Sequence, residues 1–432
     1  MRITQIVAMI FLTLIFVFDV NAQCPISKYG IVPVWPQGWT NTTKDNWYQT
    51  MSDKGMGYSH SILTWPELLQ IQNNGQLTTY INYIQHLKKD YHFKYHLLLR
   101  NPSLTNNSVP VAYQGLSFED TALTHALYDF SIQMIDSFAP VLDYLTIGGE
   151  SDMYFETHLN QLDEYVNLLS EIADYLHSNY PSIKFATTLT MNHGIMENDT
   201  LWQLTKKFSD MLSVTYWPLN TDFTINSTAI SGIQSNISML LNAAGNKPLI
   251  LKESGLPSSN VTNSSELIQS QFIEELFRQT MNIDQIEIVG WDFLADYNSA
   301  TSNYWVNFQK IYCPEFRAYI SSLGLMDTLG NAKPAYTKYL QMMDLACLTS
   351  DIKADLPNEK TLIFPNPANS LITIDTEQSC ITEIYTVTGI KILSTYKKSI
   401  DISLLKPSIY FILVKDKNGK ILMTHKLLKE NN

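Results

Sequence analysis

Between Lys28 and Ala346 the chain alternates between two hydrophobic patterns. Eight short, nearly continuous apolar runs, each about one buried strand long, lie at Gly30 to Trp35, Ser61 to Trp65, Tyr95 to Leu99, Leu142 to Ile147, Ile183 to Leu189, Met211 to Tyr216, Pro248 to Leu251 and Ile286 to Trp291. Between them, apolar residues recur every three or four positions, as in Leu77, Tyr80, Ile81, Ile84, Leu87 and again in Leu162, Tyr165, Val166, Leu169, Ile172, Leu176. Ile268, Phe272 and Leu276 repeat the spacing after the seventh run. Such positions share one face of a helix. Strands that are apolar on both faces and alternate with helices belong to a parallel sheet covered by helices. Eight units in about 320 residues predict an α/β fold, a (β/α)8 or TIM barrel, whose usual size is ~250 residues plus insertions. No run is followed by a G-x-G-x-x-G or G-x-x-x-x-G-K-[ST] phosphate loop, which weighs against an open, doubly wound sheet.

The pattern changes toward the C-terminus. Leu348 to Lys360 is polar and without period, and reads as a linker. Beyond it, Leu371 to Ile374, Ile384 to Val387, Ile390 to Leu393, Tyr410 to Val414 and Ile421 to Thr424 are short alternating runs separated by turn residues. They predict a small all-β, immunoglobulin-like sandwich. At the other end, Arg2 precedes an apolar run from Ile6 to Phe18 and then Val20-Asn21-Ala22, the pattern of a secretory signal cut after Ala22. The expected organisation is a signal peptide at 1–22, a barrel domain at 23–347, a linker at 348–360 and a small domain at 361–432. No later run is long enough to cross a membrane.

Composition adds a charge asymmetry. The chain carries 29 Lys+Arg against 41 Asp+Glu, a net charge of -12. From Thr361 onward nine Lys face three Asp and three Glu, so that segment is +3 and the first 360 residues carry -15. An acidic chain without a basic stripe excludes a nucleic-acid partner, because binding polyphosphate depends on Lys and Arg neutralising it. At 45% hydrophobic and 16% charged residues the chain is too apolar to be disordered. Cys24, Cys313, Cys347 and Cys380 are scattered without metal-ligand spacing; of the pairings open to an exported chain, Cys24 to Cys347 or Cys313 to Cys347 is favoured. No metal or other cofactor is expected.

In such a barrel the chemistry belongs at the C-terminal ends of the strands. Run 4 ends in Ile147-Gly148-Gly149-Glu150 and run 7 in Leu251-Lys252-Glu253-Ser254-Gly255, so two glutamates reach the rim three strands apart. Two carboxyl groups across a pocket are what glycosidic bond cleavage needs, one protonated to assist the leaving oxygen and one ionised to attack or to activate water. Indole faces stack on sugar rings, so Trp35, Trp65 and Trp291 at strand ends are candidates for substrate binding. Arg100, Asn101, Asn192 and His193 also end strands and could bond hydroxyls or orient a carboxylate; His193 has no second ligand at metal spacing.

Glu150 after strand 4, Glu253 after strand 7 and Trp291 ending strand 8 resemble the retaining glycoside hydrolases of clan A. The run from Lys247 to Ser258 is similar to that clan's nucleophile strand, most of all in families 17 and 53. The resemblance implies Glu253 as nucleophile, Glu150 as acid/base, retention of configuration, a β-linked polysaccharide or oligosaccharide substrate, and Tyr216, with Trp217 beside it, as the aromatic partner of the nucleophile. One departure is Gly149, where the clan usually has Asn. It motivates an alternative, a non-catalytic surface glycan-binding protein on the same barrel. The tail, through Phe364-Pro365-Asn366-Pro367, Tyr385-Thr386-Val387-Thr388-Gly389, Ser408 to Val414 and His425 to Lys429, closely resembles the type A sorting domain of the Bacteroidetes type IX secretion system. That likeness implies the secretion machinery as partner, an extracellular or outer-surface location and removal of the tail.

Overall fold

The computed structural model describes residues 24–353, 362–376, 380–386, 390–417 and 421–430. The signal peptide expected at 1–22 lies outside them. Strands β1 (Tyr29–Ile31), β2 (Tyr58–Leu63), β3 (Lys94–Ser103), β4 (Tyr144–Gly149), β5 (Lys184–Thr190), β6 (Leu212–Tyr216), β7 (Leu249–Ser254) and β8 (Ile286–Trp291) pair in parallel and in chain order, and β8 returns to β1 to close the barrel. Around it run α1 (Asn41–Asp53), α2 (Trp65–Asn73), α3 (Leu77–Tyr91), α4 (Thr121–Phe138), α5 (Ser151–Glu156), α6 (Leu162–Asn179), α7 (Thr200–Thr205), α8 (Ile233–Ala244), α9 (Glu266–Thr280), α10 (Ser299–Gln309), α11 (Pro314–Ile320) and α12 (Pro334–Lys353). This is the TIM barrel that the eight runs predict.

Two strands end before their apolar runs do, β1 and β2, while β3, β4 and β7 extend beyond theirs. The first run stops pairing at Ile31, and Pro33 just beyond it has no N–H with which to extend a ladder. The second strand ends at Leu63 because Thr64 opens a helix: its hydroxyl accepts from the Glu67 N–H while the Glu67 carboxylate accepts from the Thr64 N–H, a reciprocal capping box with Pro66 in the first turn. Trp65 is therefore a helical residue. The last helix runs to Lys353, so the start of the expected linker is helical, and 354–361 lie outside the described residues.

Inside the barrel, Tyr58, Tyr144, Ala186, Met211, Ile250 and Ile288 fill one apolar layer. The layer above it, toward the C-terminal mouth, is polar. The Tyr58 hydroxyl bonds His96 Nδ1 at 2.9 Å, His96 Nε2 bonds the Thr146 hydroxyl at 2.8 Å, and the Thr188 and Ser213 hydroxyls meet at 3.1 Å. Outward-facing residues such as Leu97, Leu145 and Leu251 join the apolar faces of the helices in the main core.

The two ends of the barrel segment are tied together. Cys24 and Cys347 form a disulfide across a sequence separation of 323, and the Tyr339 hydroxyl of α12 donates to the Gly30 carbonyl at 3.1 Å. Of the two pairings the sequence favours, this is the one that joins the ends; Cys313 and Cys380 are free.

After α12 come two antiparallel sheets. One is ordered β13 (Ser399–Asp401), β10 (Leu371–Asp375), β9 (Leu362–Phe364). The other is ordered β12 (Lys391–Thr395), β11 (Cys380–Thr386), β14 (Ser408–Asp416), β15 (Ile421–Lys429). Ile372, Ile374, Ile384, Ile412, Val414 and Leu427 form their shared core, as the alternating runs predict. No helix among the described residues is long and apolar enough to cross a membrane.

Reducing the Cys24–Cys347 bond is expected to lower stability by about 2–5 kcal/mol, since it frees the ends of a long loop in the unfolded chain. Denaturant unfolding of the oxidised protein and of a Cys347→Ala variant measures this; equal midpoints would count against any stabilising role.

Candidate active site

The mouth of the barrel owes its arrangement to two bulges. Along β4 the register advances three residues, Thr146 to Gly149, while β5 advances two, Ala186 to Thr188. The extra residue switches which side chains face inward. Thr146 points into the lumen at His96, whereas Gly148 turns toward the helices, where an added Cβ would collide with the Ser151 and Tyr165 hydroxyls. Its φ of +86° also favours glycine. Gly149 then faces inward beside Leu98 and Arg100, and Glu150 follows in the left-handed region at φ 57°.

The second bulge lies on β7. Thr215 on β6 follows Val214 directly, but their partners on β7 are Glu253 and Leu251, with Lys252 between them. With Ile250 in the lumen layer and Leu251 in the outer core, strict alternation would turn Lys252 in and Glu253 out. The extra residue brings both in. The Lys252 side chain is 0% exposed, and its ammonium contacts Glu253 Oε1. Lysine is almost never fully buried unless paired, and here the partner is the next residue.

Around Glu253 stand Asp292, just beyond β8, and His60, on β2. Asp292 hydrogen-bonds Glu253, while its Oδ1 has no partner and lies 3.9 Å from Nε2 of His60. Two carboxyl groups that share a hydrogen bond must hold a proton between them. Burial and the Glu253 charge raise Asp292 well above the usual range. Burial acts to raise Glu253 too, but the Lys252 ammonium, the Arg100 guanidinium and the bonds from Lys252 and Asp292 outweigh it and hold it below its usual value. The proton sits on Asp292 and the charge on Glu253. Burial, reinforced by the Lys252 and Arg100 charges, keeps His60 neutral.

Glu150 is in a different environment. The Thr215 hydroxyl donates to its Oε1 at 2.7 Å. Burial, the Glu253 charge and Asp152 together push its pKa up to about 7, against the Thr215 bond and Arg100. Tyr319 on α11 is half-buried within the field of all three acids and packs edge-on against Trp217 at 5.6 Å. Gly255 leaves room for that indole: a Cβ there would lie 2.6 Å from it.

The structure thus brings Glu150, Glu253, Arg100 and Trp217 together and leaves other candidates outside. Trp65 is 3% exposed and stacks between Tyr113 and Phe130, at 5.3 and 5.1 Å, in the layer outside the barrel. Trp291 packs on Phe272 of α9 and donates to the Leu323 carbonyl at 3.3 Å, so it faces the helices while Asp292 takes the inward position. Tyr216 likewise points outward: its ring stacks on Phe272, its hydroxyl accepts from Asn236, and the inward residue is Thr215. Trp35 packs edge-on against Trp47 and Tyr48 of α1. The Asn192 amide donates to the Trp217 and Leu219 carbonyls, Asn101 fastens its own loop to Ser108, and His193 bonds Asp152 at 3.3 Å. Lys252, Asp292, His60, His96, Thr215 and Tyr319 are the residues that pattern reading misses. Lys252 alone left a signal, a cation inside an apolar run. Among the described residues no cluster of His, Cys, Asp and Glu could hold a metal ion.

Residues 362–430 match the secretion system C-terminal sorting domain. The tail is an export label. It marks the chain for type IX secretion, to the cell surface or outside the cell. A search of curated protein sequences finds no match. Among solved structures the chain is similar to a GH5_18 from Bifidobacterium longum subsp. infantis, with 16% identity, TM-score 0.57, and 74% of this chain and 79% of that one covered. It is also similar to a GH5_18 from Streptomyces cattleya in complex with GlcNAc, with 12% identity, TM-score 0.58, and 78% and 83% covered. The β-glucuronidase of Bacteroides uniformis aligns at 12% identity and TM-score 0.51 over 94% of this chain and 46% of its own. At these identities the likeness is one of fold. The GH5_18 structures are not of family 17 or 53, the families that the nucleophile-strand motif resembles.

Replacing Lys252 by Met is expected to destabilise the protein by about 3–5 kcal/mol at neutral pH by leaving the Glu253 charge buried and unpaired. In that variant the folded-state pKa of Glu253 rises above its unfolded value. The deficit is therefore smallest in acid, where Glu253 is protonated, and grows as the pH rises. Urea unfolding of both proteins at several pH values checks this; a deficit independent of pH would remove charge pairing as its cause.

Proposed function

We propose that the protein is a secreted, retaining glycoside hydrolase acting on a β-linked polysaccharide or oligosaccharide. The observation that carries the reading is the opposite protonation of two carboxyl groups at one barrel mouth: Glu150 pushed up to about 7, Glu253 held ionised. A protonated acid and an anionic nucleophile at neutral pH are the two species that retaining hydrolysis consumes first. Glu253 attacks the anomeric carbon as the glycosidic C–O bond breaks, and the leaving oxygen takes the proton of Glu150. Glu150, now a base, removes a proton from water, whose oxygen attacks the same carbon and releases Glu253. Two displacements retain the configuration.

The fold of the GH5_18 and β-glucuronidase structures supports a glycosidase, and a variant of the Streptomyces cattleya protein was solved with Manb1-4GlcNAc. Trp217 and Tyr319 offer aromatic surface beside the acids for a sugar ring. The working protein would be residues 23–347, with the tail removed after export and no cofactor required.

Glu253→Gln and Glu150→Gln are each expected to abolish release of reducing ends from a β-glycan panel by the folded protein. Unchanged turnover in Glu253→Gln would sink the assignment, and binding without Glu253-dependent turnover in the wild type would favour a glycan-binding protein. The wild-type rate should fall about tenfold per pH unit above pH 7, as Glu150 loses its proton. On the acid side it should hold until below the usual range for glutamate, because Glu253 stays ionised. An alkaline limb well away from 7 would assign the acid to another group.

A further inference from the structure

We propose that Arg100 is a specificity residue that binds a carboxylate on the sugar unit seated beside Glu150 and Glu253, so that the substrate is a hexuronic acid-containing glycan. The inference takes from the glycosidase reading only the place where the sugar sits.

Arg100 enters the lumen from β3, next to Leu98 and the inward face of Gly149. Its guanidinium lies over the Trp305 ring of α10, 5.0 Å from the centroid, a cation–π contact. Among the described residues no hydrogen bond or ion pair holds it, and its Nε is buried without a partner. Arginine has five N–H donors, and at this position all are uncommitted.

The acids around it are engaged elsewhere. Glu150 accepts from Thr215, Glu253 is bound by Lys252, and Asp292 shares its proton with Glu253. Arg100 acts on all three only through space. No carboxylate among the described residues forms an ion pair with the Arg100 guanidinium, so it has no counterion of its own. A partly buried charge without a counterion is costly, and a ligand anion would supply one. A hydroxyl would satisfy single donors but not the charge. A carboxylate matches the fork with two parallel bonds.

Gly149 keeps this fork accessible. A Cβ at that position would stand 3.6 Å from both Cγ and Nε of Arg100. A longer side chain there would start from a Cβ already in contact with Arg100 and Leu98 and would crowd the guanidinium.

The test uses β-linked trisaccharides of glucuronate and of mannuronate, each against its carboxyl-reduced form, titrated calorimetrically into the Glu150→Gln protein. Gln is isosteric and isoelectric with the protonated acid. At low salt at least one acidic trisaccharide should bind at least ~10-fold more tightly than its reduced form. Arg100→Gln should remove the difference, and Arg100→Lys, which keeps the charge but not the fork, should restore part of it. In the wild type, kcat/KM should show the same preference, with KM moving most. Equal binding of acidic and reduced forms, a preference that survives Arg100→Gln, failure of every hexuronate to bind, or preference for a sulfated neutral glycan would each overturn the inference. Glu253-dependent cleavage of a neutral glycan by Arg100→Gln at the wild-type rate would do so while leaving the glycosidase reading intact.

Discussion

A lysine ammonium sealed inside a barrel persists only where a carboxylate meets it, and Glu253 meets Lys252 at the mouth of this one. The pair requires two consecutive residues of one strand to point the same way, which a regular strand forbids. The bulge between Leu251 and Ser254 removes that obstacle. From this contact follows the low pKa of Glu253, while burial first and the Glu253 charge second raise both Asp292 and Glu150.

The polar layer beneath the mouth gives those charges a fixed frame. His96 is held from both sides by Tyr58 and Thr146, and burial keeps it neutral. Neutral imidazoles near Lys252 add no third cation. Aromatic groups of the helices after β8, Trp305 of α10 and Tyr319 of α11, lie beside the cluster, and their low polarity strengthens the charge interactions inside it. Charges and dipoles held in this way are in place before any ligand arrives.

The two compositions of the chain correspond to two folding problems. The acidic barrel closes on itself and is fastened at Cys24 and Cys347, a bond compatible with an oxidising exterior. The basic tail has its own core of alternating isoleucines and valine, and can carry its sorting role as a separate sandwich.

Eight apolar runs, two glutamates after runs 4 and 7, and the sandwich pattern were sufficient for the fold, the rim position of the acids and the export label. They follow from hydrophobic period and strand order, which are local. Side-chain direction at the rim is not local. Barrel strands are buried on both faces, so their apolar runs carry no alternation to tell lumen from helix layer. The sequence therefore placed Trp291 and Tyr216 at the right strand ends and on the wrong face, while Asp292 and Thr215, one residue away, face the lumen. Trp65 could have been assigned to a helix from the Thr64-to-Glu67 capping box. The bulges on β4 and β7 could not have been read, because an extra residue in a strand shows only against the register of its neighbours. The sequence by itself determined which strands meet at the mouth. Tertiary pairing alone decided which side chains of those strands meet there, since a one-residue shift turns a strand's inward set outward.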